Sequence, residues 1–178
     1  LGKGYVILNG IDNIHDSKIV GMNAHVGFFY IKHLKITDFE CMDLGKHSYC
    51  IQICTFENAY LENLKIEGGK DAVHFGTGRD FVIRNGAFRT YDDPIALNAN
   101  DYATANQHMG WIENGLIENC SDLDQPETTG YFVRMLGGAW CDWKSGMTIR
   151  NSDTVVSCGR MYRAVMPADG KEYISVTK

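Results

Sequence analysis

The sequence predicts an all-β fold, a right-handed parallel β-helix, and three observations carry that expectation. The first is composition: 178 residues hold 19 glycines and only 3 prolines, alongside abundant asparagine, a mixture that weakens helix interiors and favours turns. The second is the lack of any sustained i, i+3, i+4, i+7 apolar stripe, so no long helix is expected. The third is repetition. Similar short apolar segments recur at residues 30–36, 60–66, 81–88, 111–117 and 147–151, and their last apolar residues (Ile36, Ile66, Phe88, Ile117, Ile149) are spaced by 30, 22, 29 and 32 residues. A coil of about 22 residues with variable insertions suits a parallel β-helix, in which each turn stacks on the last and like positions form ladders.

The elements follow in order. Second apolar runs at 50–54, 72–75, 95–97, 131–136 and 161–165 lie between the repeats. Each repeat therefore reads as two or three short strands with alternating faces, joined by Gly, Asn and Asp turns. Val73 and Phe75 are expected to stack under Ile95 and Leu97, with Phe81, Ile83, Phe88 and Ile117 also in the core. Asn85, Asn114 and Asn151 read as an internal ladder satisfying turn backbone. An antiparallel sandwich would place hairpin signals every 8–12 residues or so, and the turns do not flank paired runs in that way. Residues 1–178 read as one β-helix domain with partial coils at both ends. The last apolar run has no polar cap after it, which points to a fragment of a longer β-helix or to a missing segment that covers the open edge.

Composition excludes several classes. Apolar residues make up 44% and charged residues 22%, an ordinary globular balance. With 17 Lys+Arg against 22 Asp+Glu, the net charge of −5 offers no footprint for nucleic acid. No apolar run approaches the roughly 18 residues of a spanning helix. Six cysteines (Cys41, Cys50, Cys54, Cys120, Cys141, Cys158) show no CxxC pair and no zinc spacing. Buried thiols are the first reading and one or two disulfides the second. No metal or cofactor is expected.

The stretch from Lys70 to Asn98 carries the chemistry. Asp71 stands two residues before Val73, and Asp93 two before Ile95, a step of 22 residues. That step stacks their backbones about 5 Å apart, with Asp92 at the same turn. Carboxylates held this close raise one another's proton affinity, so one can stay protonated while another is ionised. Aspartate at a strand start also caps backbone N–H groups. Three in coil register, beside an outward-facing His74, favour acid–base chemistry over capping.

Asp71-Ala-Val-His and Arg-Thr-Tyr-Asp92-Asp93-Pro-Ile-Ala-Leu-Asn98 resemble two motifs of the polygalacturonase-like glycoside hydrolases, family 28 of the pectin-lyase-like β-helix superfamily. The resemblance implies an inverting hydrolase of pectin-related or other acidic polysaccharides. Asp92 would protonate the leaving oxygen, while Asp71 and Asp93 activate water, with carboxyls about 6.5–9.5 Å apart. His74, Asn98, Arg160 and Arg163 would bind substrate. Four positions differ from the family: Gly69-Lys70 replaces its Asn-Thr, Thr129 takes the place of a supporting histidine, and Met161 takes that of an arginine. Two other readings stand beside this one. One is a calcium-dependent lyase with Arg134 and Arg163 as bases. The other is a glycan-binding module without catalysis. Residues 100–109 read as an inserted loop, and a polysaccharide substrate implies an extracellular or periplasmic location.

Overall fold

The computed structural model describes residues 6–8, 24–43, 49–99, 110–123, 125–136, 140–149, 154–157, 160–163 and 173–174. Among them there is no helix, and so none long and apolar enough to cross a membrane. The strands are β1 (Val6–Leu8), β2 (Ala24–Asp43), β3 (Tyr49–Gly68), β4 (Val73–Phe75), β5 (Gly78–Arg84), β6 (Ala87–Thr90), β7 (Ile95–Leu97) and β8 (Ile112–Glu118). They continue with β9 (Ser121–Asp122), β10 (Val133–Met135), β11 (Trp140–Asp142), β12 (Thr148–Ile149), β13 (Thr154–Ser157), β14 (Arg160–Arg163) and β15 (Tyr173–Ile174).

The first ten strands form one parallel, strongly curled sheet. Its curl comes from residues that turn the backbone without ending the pairing. β2 and β3 run 20 residues each because left-handed residues bend them: Tyr30, His33 and Asp38 in β2, Thr55, Asn58 and Asn63 in β3, with φ between 54° and 60°. Asn, Asp and His tolerate this conformation best, since short polar side chains bond locally. Two bend lines continue through later strands, one as His33, Asn58, Asp80 and Asn114, the other as Asp38, Asn63, Asn85 and Asn119. Side chains link neighbours along them: Asn63 Nδ2 donates to Asp38 at 3.0 Å, Asn114 to Asp80 at 3.0 Å and Asn119 to Asn85 at 2.6 Å. The expected asparagine ladder is therefore exposed rather than internal, and Asn85 and Asn114 belong to different lines; Asn151 lies outside the described residues.

The core lies within the curl. Val73 pairs with Ile95 and Phe75 with Leu97 in parallel register, as expected. Ile51 precedes this ladder and Val133 follows it. Phe81, Ile83 and Phe88 are buried, while Ile117 is half-buried and packs against them. Phe56, Phe75 and Phe81 form an aromatic cluster, with Phe75–Phe81 centroids 4.8 Å apart. Glycine makes room for these rings. A Cβ on Gly78 would lie 2.2 Å from the Phe56 ring, and one on Gly115 would lie 2.1 Å from Phe81. In both cases ring and glycine are register partners on adjacent strands.

The layer spacing differs from the sequence reading. Ile36 pairs with Leu61, not Ile66, and Ile83 rather than Phe88 pairs with Ile117. Steps between layers are 25, then 22, then 34 to 38 residues. The extra length of the last step enters largely between β7 and β8, where the loop 100–109 was expected; those residues lie outside the described set. The segment at 147–151 and the run at 161–165 are not further parallel layers. β12 pairs antiparallel with β15, and β14 pairs antiparallel with β13, which also pairs in parallel with β11. Among the described residues Cys41, Cys50, Cys54 and Cys120 form no disulfide, and the first three are buried.

Candidate active site

β4 and β7 are three-residue strands stacked in register, and the acidic residues precede them. The Ala72 N–H donates to the Asp93 carbonyl at 3.2 Å, which fixes the two turns one above the other. One oxygen each from Asp71, Asp92 and Asp93 lies within 4.8 Å of the others. The three are among the residues that the sequence assigns to catalysis, and the fold brings them together.

Their settings differ. Asp71 is 3% exposed, and its Oδ2 meets His74 Nδ1 at 2.8 Å. Its Oδ1 is buried without a hydrogen-bond partner among the described residues. Burial holds its carboxyl above the usual carboxylate range, against the pull of the His74 hydrogen bond. Asp93 is 1% exposed. Its Oδ1 accepts the Tyr131 N–H at 2.9 Å and its Oδ2 accepts Arg134 Nη1 at 3.2 Å. Asp92 is the most accessible of the three, and it pairs with Lys70. Its backbone carbonyl accepts the Thr90 hydroxyl at 2.8 Å, and Gly130 packs against its carbonyl carbon, where a Cβ would stand only 2.2 Å away.

Two cations therefore stand at the more exposed side of the cluster. Lys70 is one layer, 22 residues, before Asp92. Burial alone would pull the Lys70 ammonium down, but the Asp92 hydrogen bond and the charges of Asp71, Asp92 and Asp93 hold it above its ordinary value. Arg134, in the middle of β10, behaves likewise: its partial burial is outweighed by Asp93. The sequence reading treated Lys70 only as a departure from a motif, although its 22-residue offset from Asp92 was the same signal that joined Asp71 to Asp93. Asp71, Asp92 and Asp93 are also the residues that could ligate a cation, with Lys70 and Arg134 supplying positive charge beside two of them.

Other expected site residues fall elsewhere. His74 does not face solvent. It is fully buried, stacked on the Tyr49 ring at 3.9 Å and bonded to Asp71. Strand alternation placed it on the outer face correctly, but Gln52, His74 and Ala96 of that face are all 0% exposed. Asn98 is 3% exposed and lies past the opposite end of β7 from Asp93, its N–H donating to the Phe75 carbonyl at 2.9 Å. Thr129 stands beside Tyr91 rather than Asp93, its N–H donating to the Tyr91 carbonyl at 2.9 Å. The position in line with Asp93 is Tyr131. Arg160 and Arg163 bound the antiparallel strand β14, and their side chains lie outside the described residues. Set against known proteins, the chain matches no family model, no curated protein and no solved structure.

Proposed function

We propose that the chain is a right-handed parallel β-helix that hydrolyses glycosidic bonds of an acidic, pectin-related polysaccharide outside the cytoplasm, with Asp71, Asp92 and Asp93 as the reacting carboxylates. The observation that carries this reading is the convergence of three carboxylates in three unlike settings. Unlike settings separate acid from base. Asp92 has the best access to a bound chain, so it is the proton donor to the leaving oxygen. Asp71 and Asp93 are set too deep to attack a sugar carbon, whereas a water molecule between them and the substrate can. Their role is to take that water's proton, and His74 positions Asp71 for it. Oxygens within 4.8 Å are closer than the roughly 6.5–9.5 Å usual between the carboxyls of inverting enzymes. That separation is nearer the roughly 5–5.5 Å of retaining enzymes, and what supports inversion is the burial of Asp71 and Asp93, which leaves neither carboxylate open to a sugar carbon. Lys70 and Arg134 favour an anionic sugar. Arg160 and Arg163 are assigned to substrate on the resemblance alone, and the burial of Asn98 suits support of the strand better than contact with a sugar.

The test is release of reducing ends from uronate and neutral oligosaccharides, with the anomer of the first product read by NMR. Asp92→Asn is expected to lower turnover about 10²–10⁴-fold with little change in melting temperature. A calcium-dependent, ultraviolet-absorbing product would instead identify a lyase, and binding without any product would leave a glycan-binding module.

A further inference from the structure

We propose that the open cavity beside the corner Tyr30–Thr55–Thr77 is a second, non-catalytic carbohydrate site, which takes a neutral pyranose ring. The inference goes beyond the hydrolase reading and does not depend on turnover. This corner follows β4, whereas Asp71 precedes it, so the two places lie at opposite ends of that strand.

The layers build the corner. Ile31, Phe56 and Gly78 are register partners on β2, β3 and β5. The residues before them, Tyr30, Thr55 and Thr77, therefore form a line, and the Thr55 N–H donates to the Thr77 carbonyl at 2.7 Å. A cavity of about 310 Å³ opens beside this line, walled by residues of all three layers. That is the small end of the range for ligand sites, roughly 300–1,000 Å³. Tyr30 and Thr55 take a left-handed backbone, with φ of 55° and 56°. Other bends of the sheet use Asn, Asp or His, which adopt it more easily than a ring or a β-branched side chain. The backbone gains nothing from tyrosine and threonine here, which points to their side chains.

Those side chains suit a sugar. A pyranose has an apolar C–H face and a rim of hydroxyls, and the wall offers a partner for each. The Tyr30 ring is 59% exposed and gives a flat apolar surface. Lys32 Nζ and Glu57 Oε2, 3.1 Å apart, set a donor beside an acceptor. The Thr77 hydroxyl donates to the Trp111 carbonyl at 3.0 Å, which leaves its oxygen lone pairs to accept from a ligand. Charge excludes the other small ligands. The wall carries one cation and one anion, and Arg79, also bonded to Glu57, is offset by Asp80 at 3.8 Å. An anionic ligand finds no surplus of positive charge to hold it. A wholly apolar one would strip water from the ion pair and the hydroxyls and return no hydrogen bond.

The probe is a panel of neutral pyranose monosaccharides titrated by NMR, with the matching uronic acids and cyclohexanemethanol as controls. At least one neutral sugar should shift the ring signals of Tyr30, which are identified by their loss in Tyr30→Ala. The amide signal of Tyr131, which reports the acidic corner through its bond to Asp93, should stay in place. Tyr30→Ala should weaken binding about two- to ten-fold, the loss of one aromatic contact, while Tyr30→Phe keeps it. Lys32→Gln, at a side chain 71% exposed, should weaken it by a similar factor, and it carries the test if Tyr30→Ala fails to fold. The proposal is overturned if no neutral sugar moves the Tyr30 signals. It is equally overturned if a uronic acid or cyclohexanemethanol binds as tightly as the best neutral sugar, or if the folded variants bind like wild type.

Discussion

Aspartate and asparagine stand at the bends of this sheet in two places, and the fold treats them oppositely. Along the outer lines, Asp80, Asn85, Asn114 and Asn119 take a left-handed backbone, with φ between 51° and 60°, and bond to one another at the surface. At the corner before β4 and β7, neither Asp71, Asp92 nor Asp93 is among the positive-φ residues. Two of them are buried, and among the described residues the Tyr131 N–H is the one backbone group bonded to their side chains. The outer residues shape the chain. The inner ones keep an ordinary backbone and bring their carboxylates together, which favours chemistry over capping alone.

The comparison can be broken or sharpened by substitution, beginning with the core that both corners share. Phe88→Ala removes a ring that is 0% exposed and should cost about 3–5 kcal/mol in denaturant unfolding; a cost near zero would show that the inner corner is not anchored by this core. Gly130→Ala tests the acidic corner directly. Its Cβ would meet the Asp92 carbonyl carbon at 2.2 Å, so the backbone must shift, at about 1–3 kcal/mol, and any turnover should fall with it. On the outer line, Asn114→Ala should cost about 1 kcal/mol because alanine resists the left-handed conformation. Asn114→Gly, which adopts that conformation freely, should cost less. Equal costs would mean that the bond to Asp80, and not the backbone, matters there.

The last test sets charge against shape. Burial raises the folded-state proton affinity of Asp71 above its ordinary value. A group shifted in that direction contributes stability at pH below the unfolded carboxylate value and loses it as pH rises through the folded one. Asp71→Asn keeps the shape and cannot ionise. It should therefore be more stable than wild type near neutral pH, with the gap narrowing as pH falls through the raised folded-state value and gone below about 3.9. A melting-temperature difference independent of pH would remove the electrostatic contrast between the corners.

The acidic corner was legible in the sequence because no insertion interrupts its step. Asp71 to Asp93 and Val73 to Ile95 both count 22, and nothing intervenes to disturb the register. The outer layers were less legible. Leu34-Lys-Ile36 and Leu64-Lys-Ile66 look like one position repeated, yet Ile36 pairs with Leu61 and Cys41 with Ile66. Each side of a bent strand alternates inward and outward alike, so a short apolar pattern does not reveal which side it occupies. His74 was misread for a related reason: alternation gives the face of a residue, while burial depends on what lies over that face, here Tyr49 and Asp71.

The seating of Phe56 over Gly78 and of Phe81 over Gly115 has a consequence for how the stack comes apart. Each ring belongs to one layer, and the space it fills belongs to the next. A layer is thus completed by its successor, and these two aromatic joints add side-chain coupling to the backbone ladders that run between neighbours. In a one-dimensional array, unevenly strong coupling sets the size of the cooperative unit. The layers that carry Phe56 and Phe81 are therefore expected to open together, and the acidic corner with them.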